Sequence, residues 1–172
     1  MKQFINATDL PLAPNWIKNK LKAYDTRPLR FHLKRHRRKD QLFSGYCRYK
    51  DFLIVAAIHE KLPLPFLLQK PIKSKPNPRT ALGYEYIWRE MTVTTADQAL
   101  VWVAGHECWH YLCKTKQQKG NWETRANNFG FDWLEEFTQQ TTKKTTKKQL
   151  SFSWSIFPAT PKPKKKLKVI YG

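Results

Sequence analysis

The segment that most restricts how this chain can fold runs through residues 94–113. It has no proline and one glycine, Gly105; Thr94 or Thr95 can cap its start and Asp97 lies in its first turn, so the sequence predicts a long helix. Along that helix Ala96, Ala99, Val103, His106, His110 and Cys113 recur at spacings of three and four, which places them on one inward-packing stripe. A single histidine on such a stripe is an ordinary core residue. Two at i and i+4, with Glu107 between them, are a different matter, because burying all three without partners would be costly.

Residues four apart on a helix share a face, so His106 and His110 can offer two imidazole nitrogens to one tetrahedral zinc ion. Glu107, one position on, flanks the ion without ligating it; it can take a proton from water activated by the metal and pass it to a leaving group. A hydrolytic zinc site needs a third protein ligand and one open position. Glu123, opening the next helical segment, is the best-placed donor, with Asp132 and Glu135 as alternatives deeper in that segment; no histidine follows His110. Gly130, seven residues beyond Glu123 and on the same face, would let the two helices approach closely. No oxyanion-stabilising side chain is assignable from sequence, and Tyr111 and Arg125 are merely near the motif in the chain.

Around this helix the sequence predicts an α+β domain over residues 1–138, a small and mainly antiparallel sheet packed on the histidine-bearing helix, with the second helix returning across the metal. Residues 14–24 read as a short amphipathic helix opened by Pro14, with Ile17, Leu21 and Tyr24 on one side. Residues 29–34 alternate, Leu29, Phe31 and Leu33 against Arg30, His32 and Lys34, as a half-buried strand does. Residues 46–50 and 52–58 read as adjacent strands, the second apolar enough to be covered on both faces. Five prolines within residues 62–79 predict a long loop there, and residues 84–93 a further strand. Asn121 is a plausible cap for the last helix, whose apolar positions are Trp122, Ala126, Phe129, Trp133 and Phe137 and which is expected to end near Thr138. Residues 139–172 contain no acidic residue and carry a near-repeat of Thr-Thr-Lys-Lys, so they read as a basic, largely disordered tail in which Phe152, Trp154, Ile156 and Phe157 could dock on the domain.

Net charge narrows the partners. With 32 Lys and Arg against 13 Asp and Glu, the formal charge of +19 attracts polyanions, nucleic acid first among them. The expected contacts are a basic run, Arg27, Arg30, Lys34, Arg35, Arg37, Arg38 and Lys39, and the tail lysines including Lys164, Lys165 and Lys166. Three cysteines, an odd number without a CxxC pair, argue against a disulfide framework or a four-cysteine zinc site. The N-terminal residues lack an apolar leader and nothing approaches a membrane span, so a cytoplasmic protein is expected.

The segment His106-Glu107-Cys108-Trp109-His110, followed by Glu123-Thr124-Arg125-Ala126-Asn127-Asn128-Phe129, resembles the HExxH and E-x-x-A-N/D-x-F-A signature of ImmA/IrrE-type metallopeptidases, with Gly130 in place of the last alanine. More distantly the chain is similar to other minimal zincins, the SprT-like domains included. The resemblance implies His106, His110 and Glu123 as ligands of one zinc ion, Glu107 as general base, and an intracellular protein substrate, in some cases one bound to DNA. The alternative expectation is a nucleic-acid-binding protein whose zinc is structural or whose catalysis is vestigial.

Overall fold

The computed structural model describes residues 1–38, 40–76, 84–120 and 122–153, with side chains described at neither 84 nor 144–153. The chain divides into two units, residues 1–139 and 140–172. Nine elements follow in order: β1 (Gln3–Ala7), α1 (Ala13–Lys20), β2 (Arg30–His36), β3 (Phe43–Arg48), β4 (Leu53–His59), β5 (Phe66–Pro76), β6 (Tyr84–Val93), α2 (Ala96–Lys114) and α3 (Glu123–Ser153). The class is α+β, as the sequence predicts.

A four-stranded sheet has the order β1-β2-β4-β3. The expectation of a mainly antiparallel sheet is corrected here: β1 with β2 and β2 with β4 pair in parallel, and only β3 with β4 is antiparallel. The physical reason lies in β4. Its unbroken run Leu53–Ile58 is buried on both faces, which suits an interior strand of a parallel arrangement, and the reversal at residues 49–52, where Phe52 takes φ 48, turns β3 back onto its outer side. Strand β1 is short and mostly exposed, so it carries no alternating pattern by which to read it.

The second correction concerns residues 62–79. Rather than a loop, they contain β5, which pairs antiparallel with β6 in a separate two-stranded ribbon. Prolines fit because the outer edge of a two-stranded ribbon needs no N–H donor, and the register slips between Pro71 and Lys73.

Helix α2 lies on the β3–β4 face of the sheet and is buried nearly all round. Thr95 caps it, its hydroxyl accepting from the Gln98 N–H while the Gln98 amide oxygen accepts from the Thr95 N–H. Asp97 reaches outside the helix, its Oδ1 accepting from the Leu12 and Ala13 N–H groups at 3.0 and 2.6 Å, and so caps α1. In α1, Ile17 is fully buried while Trp16 meets Trp133 and Phe137 edge-on.

Helix α3 crosses α2 where Gly105 faces Gly130: a Cβ on Gly105 would stand 3.1 Å from the Gly130 Cα, and one on Gly130 would stand 2.9 Å from the Trp102 carbonyl oxygen. The close approach expected of Gly130 is present. Ala126, Trp133 and Phe137 are buried as expected, but Trp122 is exposed, carrying the Arg125 guanidinium 5.2 Å from its ring centroid, because it precedes the helix. The helix also continues past Thr138 to Ser153, since neither glycine nor proline interrupts residues 131–157. Helix is thus found over residues 139–153 of the segment expected to be a disordered tail. Asn121, Lys39 and residues 154–172, including Trp154, Ile156, Phe157, Lys164, Lys165 and Lys166, lie outside the described residues. No helix among the described residues is long and apolar enough to cross a membrane.

Candidate metal centre

The site is built by two helices and the turn between them. Helix α2 brings His106 and His110 to the same side one turn apart, and Lys116, at φ 60, ends the helix with the Gln117 and Gln118 N–H groups donating to the Leu112 carbonyl. Gly120, at φ 83, turns the chain again, and its carbonyl accepts from the Trp109 indole at 3.1 Å. Trp109, inside the five-residue motif, thereby anchors the turn that returns Glu123 to the histidines.

There the three donors converge. His106 Nε2 and His110 Nε2 are 3.3 Å apart, the first 3.3 Å from Glu123 Oε2 and the second 3.3 Å from Glu123 Oε1, and all three groups fall within one cluster of possible metal ligands. An ion with ligands at ~2.0–2.1 Å in a tetrahedron holds its donor atoms about 3.3–3.4 Å apart, a spacing the two imidazole nitrogens match, and the carboxylate beside them completes a donor set of the chemistry zinc takes. Burial, and after it the adjacent His110, hold the His106 imidazole down to about 4, so it is neutral and able to ligate at neutral pH. Asp132 and Glu135, the alternative third donors, are instead engaged by Arg89 at 2.6 and 2.7 Å.

Glu107 is buried on the sheet-facing side of α2. Desolvation, with the Glu123 carboxylate second, pushes its carboxyl up to about 8; a dication at the neighbouring donors would act in the opposite sense. It fits only because Gly45 stands opposite, where a Cβ would come within 2.7 Å of Glu107 Cγ and 2.8 Å of Cδ. Gly45 pairs with Ala56 across the sheet, and the missing side chain at Gly45 leaves the space the carboxylate fills.

Two cavities of about 410 Å³ each meet at the cluster and share Gly45, His106, Glu107 and Glu123. One adds Cys47, Tyr49 and His110; the other adds Phe43, Lys70, Pro71, Trp102, Val103 and Asn127. The cleft therefore follows β3, the edge strand of the main sheet, past the donors. Asn127 Nδ2 donates to the Pro71 carbonyl at 2.9 Å, fastening the β5–β6 ribbon to α3 beside the site. Sequence reasoning passed over this wall. Gly45 lay just before the strand expected over residues 46–50, whereas the structure places it inside β3, and Lys70 lay in a segment read as loop.

Tyr111 and Arg125 do not face the cleft: the Tyr111 hydroxyl donates to the Asp25 carbonyl at 2.9 Å and Arg125 to the Lys119 carbonyl at 2.8 Å. Of the basic run, Arg27, Arg30, Arg35 and Arg37 form ion pairs with Asp25, Asp51, Asp9 and Glu60, while Lys34 and Arg38 form none among the described residues. That run is largely neutralised within the fold. No protein-family model matches the chain, and no curated protein or solved structure matches it either.

Proposed function

We propose that this chain is a zinc-dependent peptidase, with His106, His110 and Glu123 as ligands and Glu107 as general base. The observation that carries the reading is the convergence of two imidazole nitrogens 3.3 Å apart with a carboxylate whose two oxygens each lie 3.3 Å from one of them, and a buried carboxylate one residue away in an open cleft. When bound, zinc supplies a Lewis acid that polarises the scissile carbonyl and lets water react at neutral pH. Glu107 takes the proton from the attacking water and returns it to the departing amine nitrogen. Gly45 leaves the space in which that carboxylate stands. An extended peptide suits the cleft because an edge strand offers unpaired backbone groups along its length, and β3 runs along both cavities.

A closed structural zinc site would need a fourth protein donor; among the described residues the cluster has three, and the Glu123 side chain is 74% exposed. The enzyme is therefore favoured over the purely structural role. The test combines metal analysis with peptide hydrolysis. One zinc per chain is expected in the wild type and little in His106→Ala, while Glu107→Gln keeps the metal and loses about 10²–10⁴-fold in kcat. A wild-type protein without zinc, or hydrolysis indifferent to Glu107→Gln, would overturn the assignment.

A further inference from the structure

The two cavities that meet at the donor cluster differ in chemistry. The one on the β5 side has apolar walls, Phe43, Pro71, Trp102 and Val103, and a single cation, Lys70. Lys70 is half-buried, with its Nζ 5.6 Å from the Phe43 ring centroid, so its stem lies along an apolar surface while the charge is held in the cavity. Two other cations of the same ribbon are neutralised, Lys75 by Glu85 and Arg89, directly opposite Lys70 in register, by Asp132 and Glu135, while Lys73, without an ion pair among the described residues, lines a different cavity. Lys70 has no carboxylate within ion-pair distance among the described residues, although Glu107 and Glu123 line the same cavity. An ammonium taken partly out of water without a counter-charge is unfavourable, and an arriving carboxylate relieves it.

We infer that this cavity is a subsite for an acidic side chain, Asp or Glu, next to the scissile bond, with Lys70 as the specificity-determining residue, and that the substrate is an acidic peptide segment. This rests on the peptidase reading above. Charge on the larger scale agrees: residues 1–139 hold 23 Lys and Arg against 13 Asp and Glu, a balance of +10 that draws acidic chains toward the cleft.

The test uses the full-length protein and peptides blocked at both ends, in matched series carrying Glu or Gln at each position. Cleavage is measured with the zinc-loaded protein, and binding with Glu107→Gln by fluorescence anisotropy. Glu at one position is expected to be favoured by about tenfold in both kcat/KM and affinity. Lys70→Gln should abolish the preference and Lys70→Glu turn it toward Lys, with melting curves showing that both variants fold. Glu107-dependent cleavage with the same preference in Lys70→Glu overturns the subsite and leaves the peptidase standing. Lys70-dependent binding of Glu peptides without cleavage supports the acidic site and overturns the peptidase. A preference seen only when the peptide C-terminus is free, or displacement of the peptide by a thymidine oligonucleotide that depends on Lys70, would overturn the assignment to an acidic side chain.

Discussion

Glu107 and Gly45 face each other across the boundary between α2 and β3, and neither residue type is informative without the other. A methyl at position 45 meets the end of a flexible carboxylate, so Gly45→Ala is expected to fold and keep its zinc while displacing the base. A misplacement of this kind costs about 10²-fold in rate. Equal kcat in Gly45→Ala and wild type, with zinc content unchanged, would count against the role of Glu107. Cys47 supplies a second prediction, this one in pH. Burial, with Glu107 as the lesser cause, pushes its thiol from an ordinary 9.0 to about 12. Between those values the unfolded chain loses this proton while the folded chain keeps it, so stability falls as pH rises through that window. Urea midpoints at pH 8 and pH 10 should show that fall, smaller in Cys47→Ala, and iodoacetamide at pH 8 should label Cys47 only after denaturation. His106, Glu107 and His110 were legible because a helix converts spacing into proximity, whereas Glu123 comes from the next helix and stood as one of three candidates. Gly45 and Lys70 reach the cleft from strands, and no spacing in the chain relates a strand residue to a helix packed upon it.

The elements that hold the donors depend on contacts far apart in sequence. Asp97 was read as ordinary first-turn acid in α2, but its carboxylate caps α1. Asp97→Ala should lower stability by roughly 1–3 kcal/mol, because two N–H groups lose their acceptor, and a urea titration measures it. Gly130→Ala brings two opposed effects: alanine is the better helix former by ~1 kcal/mol, yet its methyl would press on the Trp102 carbonyl. Since that neighbour is backbone, α3 must shift, so weaker zinc binding is expected even where the melting temperature changes little; competition with a chromogenic chelator reads it out. Elements were legible where a long apolar run was uninterrupted by breakers, as in α2 and β4, and illegible where pairing decided, as in β1 and the proline-bearing β5.

For the whole molecule, the excess of positive charge acts over distance and is screened by salt. Cleavage of an acidic peptide should therefore fall in kcat/KM between about 50 and 500 mM salt, while a neutral peptide of the same length changes far less. Parallel salt curves for the two peptides would count against steering. The direction of β4 relative to β2 could not be read from composition, because it follows from the way β3 folds back between them in sequence and outside them in space. That arrangement leaves β3 with an open edge toward the cleft and a glycine toward Glu107, so under the proposed reading one strand would serve both substrate and base. Position 45 should then act as a marker of competence under the proposed reading: a variant bearing alanine there is expected to keep fold and metal while persisting only as a binder, its reaction lost through a strand residue that ligates nothing.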